Sequence, residues 1–267
     1  MSSVKILHWN PRRSLGDGRL GRLVPVGPRP NNFGDLLGPL IVKLLLAQRG
    51  IPNRARERKT RVLTVGSILH FAKSGDHVWG SGRNGNIPDS QHSFEQLDVR
   101  AVRGPLTREF LIDRGVPAPR IFGDPALLLP QLHPMMTTWA QEKETDISVV
   151  PNLHDIKAFR KVPGFVSPTA PLELVLERIA RSRFVVGSSL HGIIVAESLG
   201  IPARLIVPSK EGRFKYEDYY RGTGRSRYEP AVDVHQAMKM GGEPLPEWDP
   251  APLVESFPWD LWQPKGA

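Results

Sequence analysis

Cysteine is absent from the 267 residues. Disulfides, zinc thiolates and cysteine nucleophiles are thereby excluded, and a reducing compartment is permitted. Long apolar runs are missing too. No stretch approaches the roughly 20 apolar residues of a membrane span, and the longest candidate, Leu36 to Ala47, is interrupted by Gly38, Pro39 and Lys43. The opening residues Met1-Ser2-Ser3-Val4-Lys5 carry no apolar run of signal-peptide length, so a cytoplasmic location is expected. The eight histidines show neither H-x-H nor H-E-x-x-H spacing, and Asp-x-Asp does not occur, so no metal is expected. There is no Walker loop, and Trp79-Gly80-Ser81-Gly82 is too short for a dinucleotide fingerprint. Zinc-finger, RNP and helix-turn-helix signatures are also missing, which argues against a nucleic-acid partner.

What is present begins with charge. Lys and Arg number 36 against 27 Asp and Glu, a formal net charge of +9. A basic surface suits an anionic partner such as a phosphorylated substrate or an acidic membrane face. The densest cluster carries Arg54, Arg56, Arg58 and Arg61. It reads equally as a binding patch or as a solvated loop before a strand. The 25 Gly and 26 Pro are spread along the chain rather than periodic, which implies many turns rather than a fibrous repeat.

Short strand-like runs alternate with helical ones. Val4 to Trp9 reads as a strand, followed by a Gly/Arg/Pro-rich loop to Pro30. Leu36, Leu37, Leu40, Ile41, Leu44 and Leu45 recur at helical spacing, and Gly50 with Pro52 closes that helix. Strands are predicted at 62–65, 77–80, 97–102 and 121–122, with a helix from Pro105 to about Arg114. Periodicity lapses from Pro130 to Asp146, which reads as a linker. Beyond it come strands at 147–150, 184–186 and 205–207, and helices near 172–179 and 191–199. Such alternation implies parallel sheets. The predicted fold is α/β with two Rossmann-like lobes, 1–132 and 147–240, and a Pro- and Trp-rich tail, 241–267, packing on the surface. Ligands of such folds bind beyond the carboxyl ends of strands, so the strand-to-helix turns are where chemistry is expected.

Four turns stand out. Val185-Val186-Gly187-Ser188-Ser189-Leu190-His191-Gly192 ends a strand and starts a helix. Free N–H groups at a helix start, with small hydroxyl residues before them, suit a phosphate or carboxylate. Ser188 or Ser189 serves equally well as a plain N-cap. A nucleophile elbow is disfavoured because His191 stands where that motif needs Gly. Asn31-Asn32-Phe33-Gly34-Asp35 opens a helix and offers an amide and a carboxylate to a sugar hydroxyl. Arg103, before Gly104-Pro105, is placed to grip an anion with a bidentate fork. Asp124, in Gly123-Asp124-Pro125, either caps the next segment or meets a ligand. Downstream, Arg213-Phe214-Lys215-Tyr216-Glu217-Asp218-Tyr219-Tyr220-Arg221 mixes both charges with aromatics that suit a sugar ring, or belong to a packed loop.

These blocks, in this order, resemble the polysaccharide pyruvyl transferase family. The segments are N-F-G-D at Asn32 to Asp35, A-V-R-G-P-L-T-R at Ala101 to Arg108, G-D-P-A-L-L at Gly123 to Leu128, S-S-L-H-G-I-I-V-A-E-S-L-G-I-P at Ser188 to Pro202 and F-K-Y-E-D-Y-Y at Phe214 to Tyr220. The likeness is to members that make exopolysaccharide pyruvate ketals. It implies a GT-B-like arrangement with the ligand cleft between the lobes. It implies phosphoenolpyruvate as co-substrate, no further cofactor, and a glycan or lipid-linked oligosaccharide as acceptor. It implies that His191 is the catalytic acid. The donor contacts expected are Arg103, Ser188, Ser189, Leu190 and Lys215, and the acceptor contacts Asn32, Asp35, Asp124 and Tyr219. Several members carry Arg two positions before the His, where this chain has Ser189, so the donor must rely more on Arg103, the helix start, and Lys215 or Arg213. The rival readings are a GT-B-like glycosyltransferase using a nucleotide sugar and a non-enzymatic module that binds anionic glycan or lipid. A lipid-linked acceptor would bring the protein to the inner membrane face as a peripheral contact.

Overall fold

The computed structural model describes residues 3–12, 27–57 and 59–262. Most of the predicted Gly/Arg/Pro-rich loop, and Arg58 of the basic cluster, lie outside those residues.

The N-terminal part begins with β1 (Lys5–Leu7), α1 (Phe33–Gln48), β2 (Arg61–Leu63), β3 (His77–Ser81), β4 (Asp98–Val102) and α2 (Pro105–Asp113). Its four strands pair in parallel in the order β1-β2-β3-β4. Two short helices follow, α3 (Leu129–Leu132) and α4 (Pro134–Gln141). The C-terminal part holds β5 (Thr145–Val149), α5 (Ile156–Phe159), α6 (Leu172–Ala180), β6 (Ser182–Gly187), α7 (Leu190–Ser198), β7 (Ala203–Leu205), α8 (Phe214–Gly222), α9 (Val234–Met240) and α10 (Ala251–Glu255). Its sheet is also parallel, ordered β5-β6-β7. The protein is therefore a Rossmann-like α/β molecule with two parallel sheets.

The helical stripe of α1 buries Leu37, Ile41 and Leu45, and Gly50 follows at φ 62 to end the helix in the left-handed region. One apolar cluster runs from Val4 and α1 through Ala126–Leu129 to α6 and α7, so the two sheets share a continuous core.

Residues 130–146 connect the two sheets, but as regular structure rather than as irregular chain: they hold α3, α4 and the start of β5. Pro130 and Pro134 sit in the first turns of these helices, where a missing N–H costs nothing. His133 caps α4 through Nδ1, which accepts from the Met135 N–H at 3.3 Å, and Met136 is fully buried. Helices of four and eight residues are too short to show a period.

The segment after Gly241 lies across the surface, but it is anchored there: among its described residues Leu253, Phe257, Pro258, Leu261 and Trp262 are buried and the others are half-buried or exposed. Glu243 N–H donates to Ala203 C=O beside β7 at 2.9 Å. The chain then crosses to the other sheet. Trp248 donates to Phe122 C=O at 2.8 Å, and Trp79 donates to Leu253 C=O at 2.9 Å. Phe257 packs edge-on to Trp79 and stacks on Trp262, which is 1% exposed. Part of the basic cluster is also committed internally: Arg56 donates to Trp262 C=O at 3.0 Å, and Arg61 pairs with Asp76 at 2.8 Å.

Candidate active site

The loops that leave the carboxyl ends of both sheets line one cavity of about 310 Å³. From the N-terminal sheet come Trp9 after β1, Gly66, Ser67, Ile68, His70 and Phe71 after β2, and Asn84 and Ile87 after β3, joined by Asn32 and Asp35 at the start of α1. From the C-terminal sheet come Asn152 to His154 after β5, Ser189 to His191 after β6, and Glu211 and Lys215 after β7. This is where parallel sheets expose backbone groups and admit side chains from several strands at once.

His191 occupies the first turn of α7. Ser189 caps that helix, its hydroxyl accepting from the Gly192 N–H at 3.3 Å. The imidazole packs so closely on α1 that a Cβ at Gly34 would collide with Nδ1. The glycine of N-F-G-D therefore makes room for the histidine of S-L-H-G. On the other side, Nε2 faces Asp124 Oδ2 at 3.8 Å, and both atoms are buried without a hydrogen-bond partner among the described residues. Asp124 Oδ1 accepts from the Ala126 N–H at 3.0 Å, which fixes the carboxyl. Burial pushes Asp124 up to about 6. Burial, reinforced by the Lys215 and Arg103 cations, pushes His191 down to about 3. The imidazole is thus neutral in the unliganded protein at physiological pH.

Asp35 is likewise driven up to about 6 by burial, although Asn32 Nδ2 donates to it at 2.5 Å and Lys215 lies nearby. Lys215 pairs with Glu211 at 3.0 Å, and burial lowers its pKa. The cavity therefore joins a neutral imidazole, a carboxyl that titrates near neutrality, a buried ammonium and the start of α7. That set can hold an anion and move a proton. Among the described residues no cluster of His, Asp and Glu has the arrangement of a metal site.

Six of the predicted site residues meet in this cavity: Asn32, Asp35, Ser189, Leu190, His191 and Lys215. Four do not line it. Arg103 is 1% exposed; its guanidinium donates to Asp218 at 3.1 Å, to Ser67 Oγ at 2.7 Å and to Arg83 C=O at 3.2 Å. With these partners it braces the cavity wall from behind, through Ser67, rather than gripping a ligand. Ser188 is fully buried and donates to Asp155 at 2.6 Å while accepting from the Asn152 N–H at 3.1 Å. Tyr219 is fully buried and donates to Glu197 at 2.6 Å, so it is a core residue rather than a sugar contact. Asp124 lies behind His191, not in front of an acceptor. Arg213 lines a separate groove with Arg221 and Arg227. Sequence reasoning missed Trp9, His70, Phe71, Asn84 and Asn152. Their one available signal was position just after a strand.

The sequence model of the family described as polysaccharide pyruvyl transferase matches residues 62–210, more than half of the 267. The chain belongs to the polysaccharide pyruvyl transferase family. The matched span carries Arg103, Asp124 and His191, while Asn32, Asp35 and Lys215 fall outside it. The chain is 28% identical over 223 residues to the succinoglycan biosynthesis protein ExoV of Rhizobium meliloti (strain 1021), covering 79% of this chain and 68% of that protein. A crystal structure of an uncharacterized protein from Klebsiella pneumoniae superposes with a TM-score of 0.42 and 12% identity over 86% of this chain and 92% of that one, too loosely to support any argument.

Proposed function

We propose that this family member transfers the pyruvyl group of phosphoenolpyruvate to two hydroxyls of a sugar, forming a pyruvate ketal and releasing phosphate. The observation that carries this reading is the His191–Asp124 pair at the wall of a cavity that also holds Lys215 and the start of α7. Phosphoenolpyruvate brings a phosphate and a carboxylate, and this wall offers a buried cation and helix N–H groups to meet them. The two sheets read as lobes of a GT-B-like arrangement, supported by loops from both lining one cavity.

The chemistry follows from these groups. A bound trianion raises the imidazole's affinity for a proton against the burial that depresses it, so donor binding loads the acid. His191 delivers that proton to the methylene carbon of phosphoenolpyruvate, and positive charge develops at the carbon bearing phosphate. One sugar hydroxyl attacks there, the C–O bond to phosphate breaks, and the second hydroxyl closes the ketal. Of the two hydroxyl protons, one ends in the new methyl group and the other on phosphate. Asp35, titrating near 6, is suited to take a hydroxyl proton, and Asp124 to return one to His191 through Nε2.

The acceptor proposed is a glycan or lipid-linked oligosaccharide. A lipid-linked acceptor implies peripheral contact with a membrane. No helix among the described residues is long and apolar enough to cross one. The test is incubation with phosphoenolpyruvate and a panel of glycosides, following phosphate release and the ketal methyl signal by NMR. His191→Gln is expected to abolish both while phosphoenolpyruvate binding stays within about tenfold, since the acid acts mainly in the transition state. Turnover with a nucleotide sugar and none with phosphoenolpyruvate would overturn the reading.

A further inference from the structure

Among the described residues only two large aromatic side chains are exposed, Trp9 at 36% and Phe71 at 39%, and both line the active-site cavity. The other exposed large apolar residues are aliphatic and lie elsewhere. We propose that Trp9 and Phe71 form the platform on which a pyranose ring of the acceptor stacks, and so select the acceptor. The inference rests on the pyruvyl transfer reading for its role, though not for the binding itself.

Both rings sit on fixed backbone. Trp9 follows β1 and precedes Asn10, which is pinned to the chain entering α1: Asn10 Nδ2 donates to Asn31 Oδ1 at 2.9 Å, and the Asn31 N–H donates to Asn10 Oδ1 at 3.1 Å. Phe71 ends a short 3-10 turn whose Leu69 is fully buried, and its own C=O accepts from Arg61 at 2.8 Å. Large rings held in water on fixed backbone offer an apolar face at little further ordering cost. The C–H face of a pyranose is apolar and slightly positive, and it matches the negative face of an aromatic ring. Its hydroxyl rim needs amide and carboxylate partners. Asn84, Asp35 and Asn152 line the same cavity, and the Asn152 Nδ2 is buried without a hydrogen-bond partner among the described residues. The two rings come from the N-terminal sheet's loops, whereas Lys215 and His191 come from the C-terminal sheet's. The apolar faces and the cation of this cavity are thus supplied by different sheets.

The experiment separates the two substrates. Trp9→Ala and Phe71→Ala are each expected to raise the acceptor KM about tenfold, with the KM for phosphoenolpyruvate and the melting temperature unchanged. Trp9→Phe and Phe71→Tyr are expected to restore the acceptor KM, because the face is kept. Without phosphoenolpyruvate, lactose, cellobiose and the methyl β-glucoside and β-galactoside are titrated into the wild type while tryptophan fluorescence is read, with Trp9→Phe as the reference. A response that disappears in Trp9→Phe supports the platform. Unchanged acceptor KM in both alanine variants, or no Trp9-dependent response to any saccharide, overturns it. A wild type that binds saccharide through Trp9 yet never releases phosphate from phosphoenolpyruvate would sink the pyruvyl transfer reading and leave the platform standing.

Discussion

His191 Nε2 and Asp124 Oδ2 face each other at 3.8 Å inside the protein, and neither has another partner among the described residues. Burial penalises the charge on each, raising the carboxyl to about 6 and lowering the imidazole to about 3. In the proposed reaction an anion reaching the ring would let the pair share a single proton.

Replacing Asp124 should show this in two readouts. Asp124 is raised from 3.8 to about 6 in the folded state, so its contribution to stability is full below pH 3.8 and is lost as pH rises through about 6. Asp124→Asn is then more stable than wild type at pH 8, by about 2–3 kcal/mol, and the gap closes as pH falls from 6 to 4. Turnover should fall about a hundredfold with the KM for phosphoenolpyruvate little changed. Urea denaturation across pH and steady-state kinetics measure the two effects. A variant less stable at pH 8 contradicts the account.

His191 works in the opposite sense. Its folded pKa is depressed from 6.5 to about 3, so its contribution is full above pH 6.5 and is lost as pH falls through about 3. His191→Gln should therefore lessen the acid sensitivity of folding between pH 6 and pH 4, read from the urea midpoint at each pH.

Gly34→Ala tests the contact between the two motifs. Alanine suits a helix better than glycine, and the expected change in melting temperature is small. The added methyl would meet Nδ1 of His191 and turn the ring. A displacement near 1 Å costs about a hundredfold in rate, and that loss in kcat should be measured without loss of fold.

Arg103→Ala should act on stability before it acts on binding. Asp218, fully buried, accepts from Arg103, from the Thr107 N–H at 2.9 Å and from the Thr107 hydroxyl at 2.6 Å. Removing the guanidinium strands that carboxylate, at a cost of about 3–5 kcal/mol. Chemical denaturation is the measurement. Normal stability with a large rise in the KM for phosphoenolpyruvate would restore Arg103 as a donor contact.

Lys215→Gln should raise the KM for phosphoenolpyruvate by about tenfold or more, since a charge-assisted contact is lost. Lys215 also lowers the pKa of His191 and of Asp35. The acid limb of the pH–rate profile should therefore move to higher pH in the variant.

Much of the frame is legible in the amino-acid sequence. The strands near Val62, His77, Asp98, Phe184 and Leu205 fall within a residue or two of their predicted places, because buried parallel strands read as short apolar runs between turn residues. His191, read from a strand-to-helix turn, Asp35, read from a helix start, and Lys215, read from the aromatic and charged block, line one cavity. What misled was side-chain direction. Arg103 has the right residue type at the right turn, but Asp218, 115 positions away, claims its guanidinium. Tyr219 belongs to an aromatic block that suits a sugar, yet its hydroxyl is held by Glu197 on α7. Trp9 and Phe71 carried no motif at all; only the meeting of loops from two sheets brings them to the cavity.

The chain passes from one sheet to the other through α3 and α4, and returns between Glu243 and Trp262. A molecule laced twice across its seam resists being parted by a single proteolytic nick. Its two sheets should lose structure in one cooperative transition rather than one after the other.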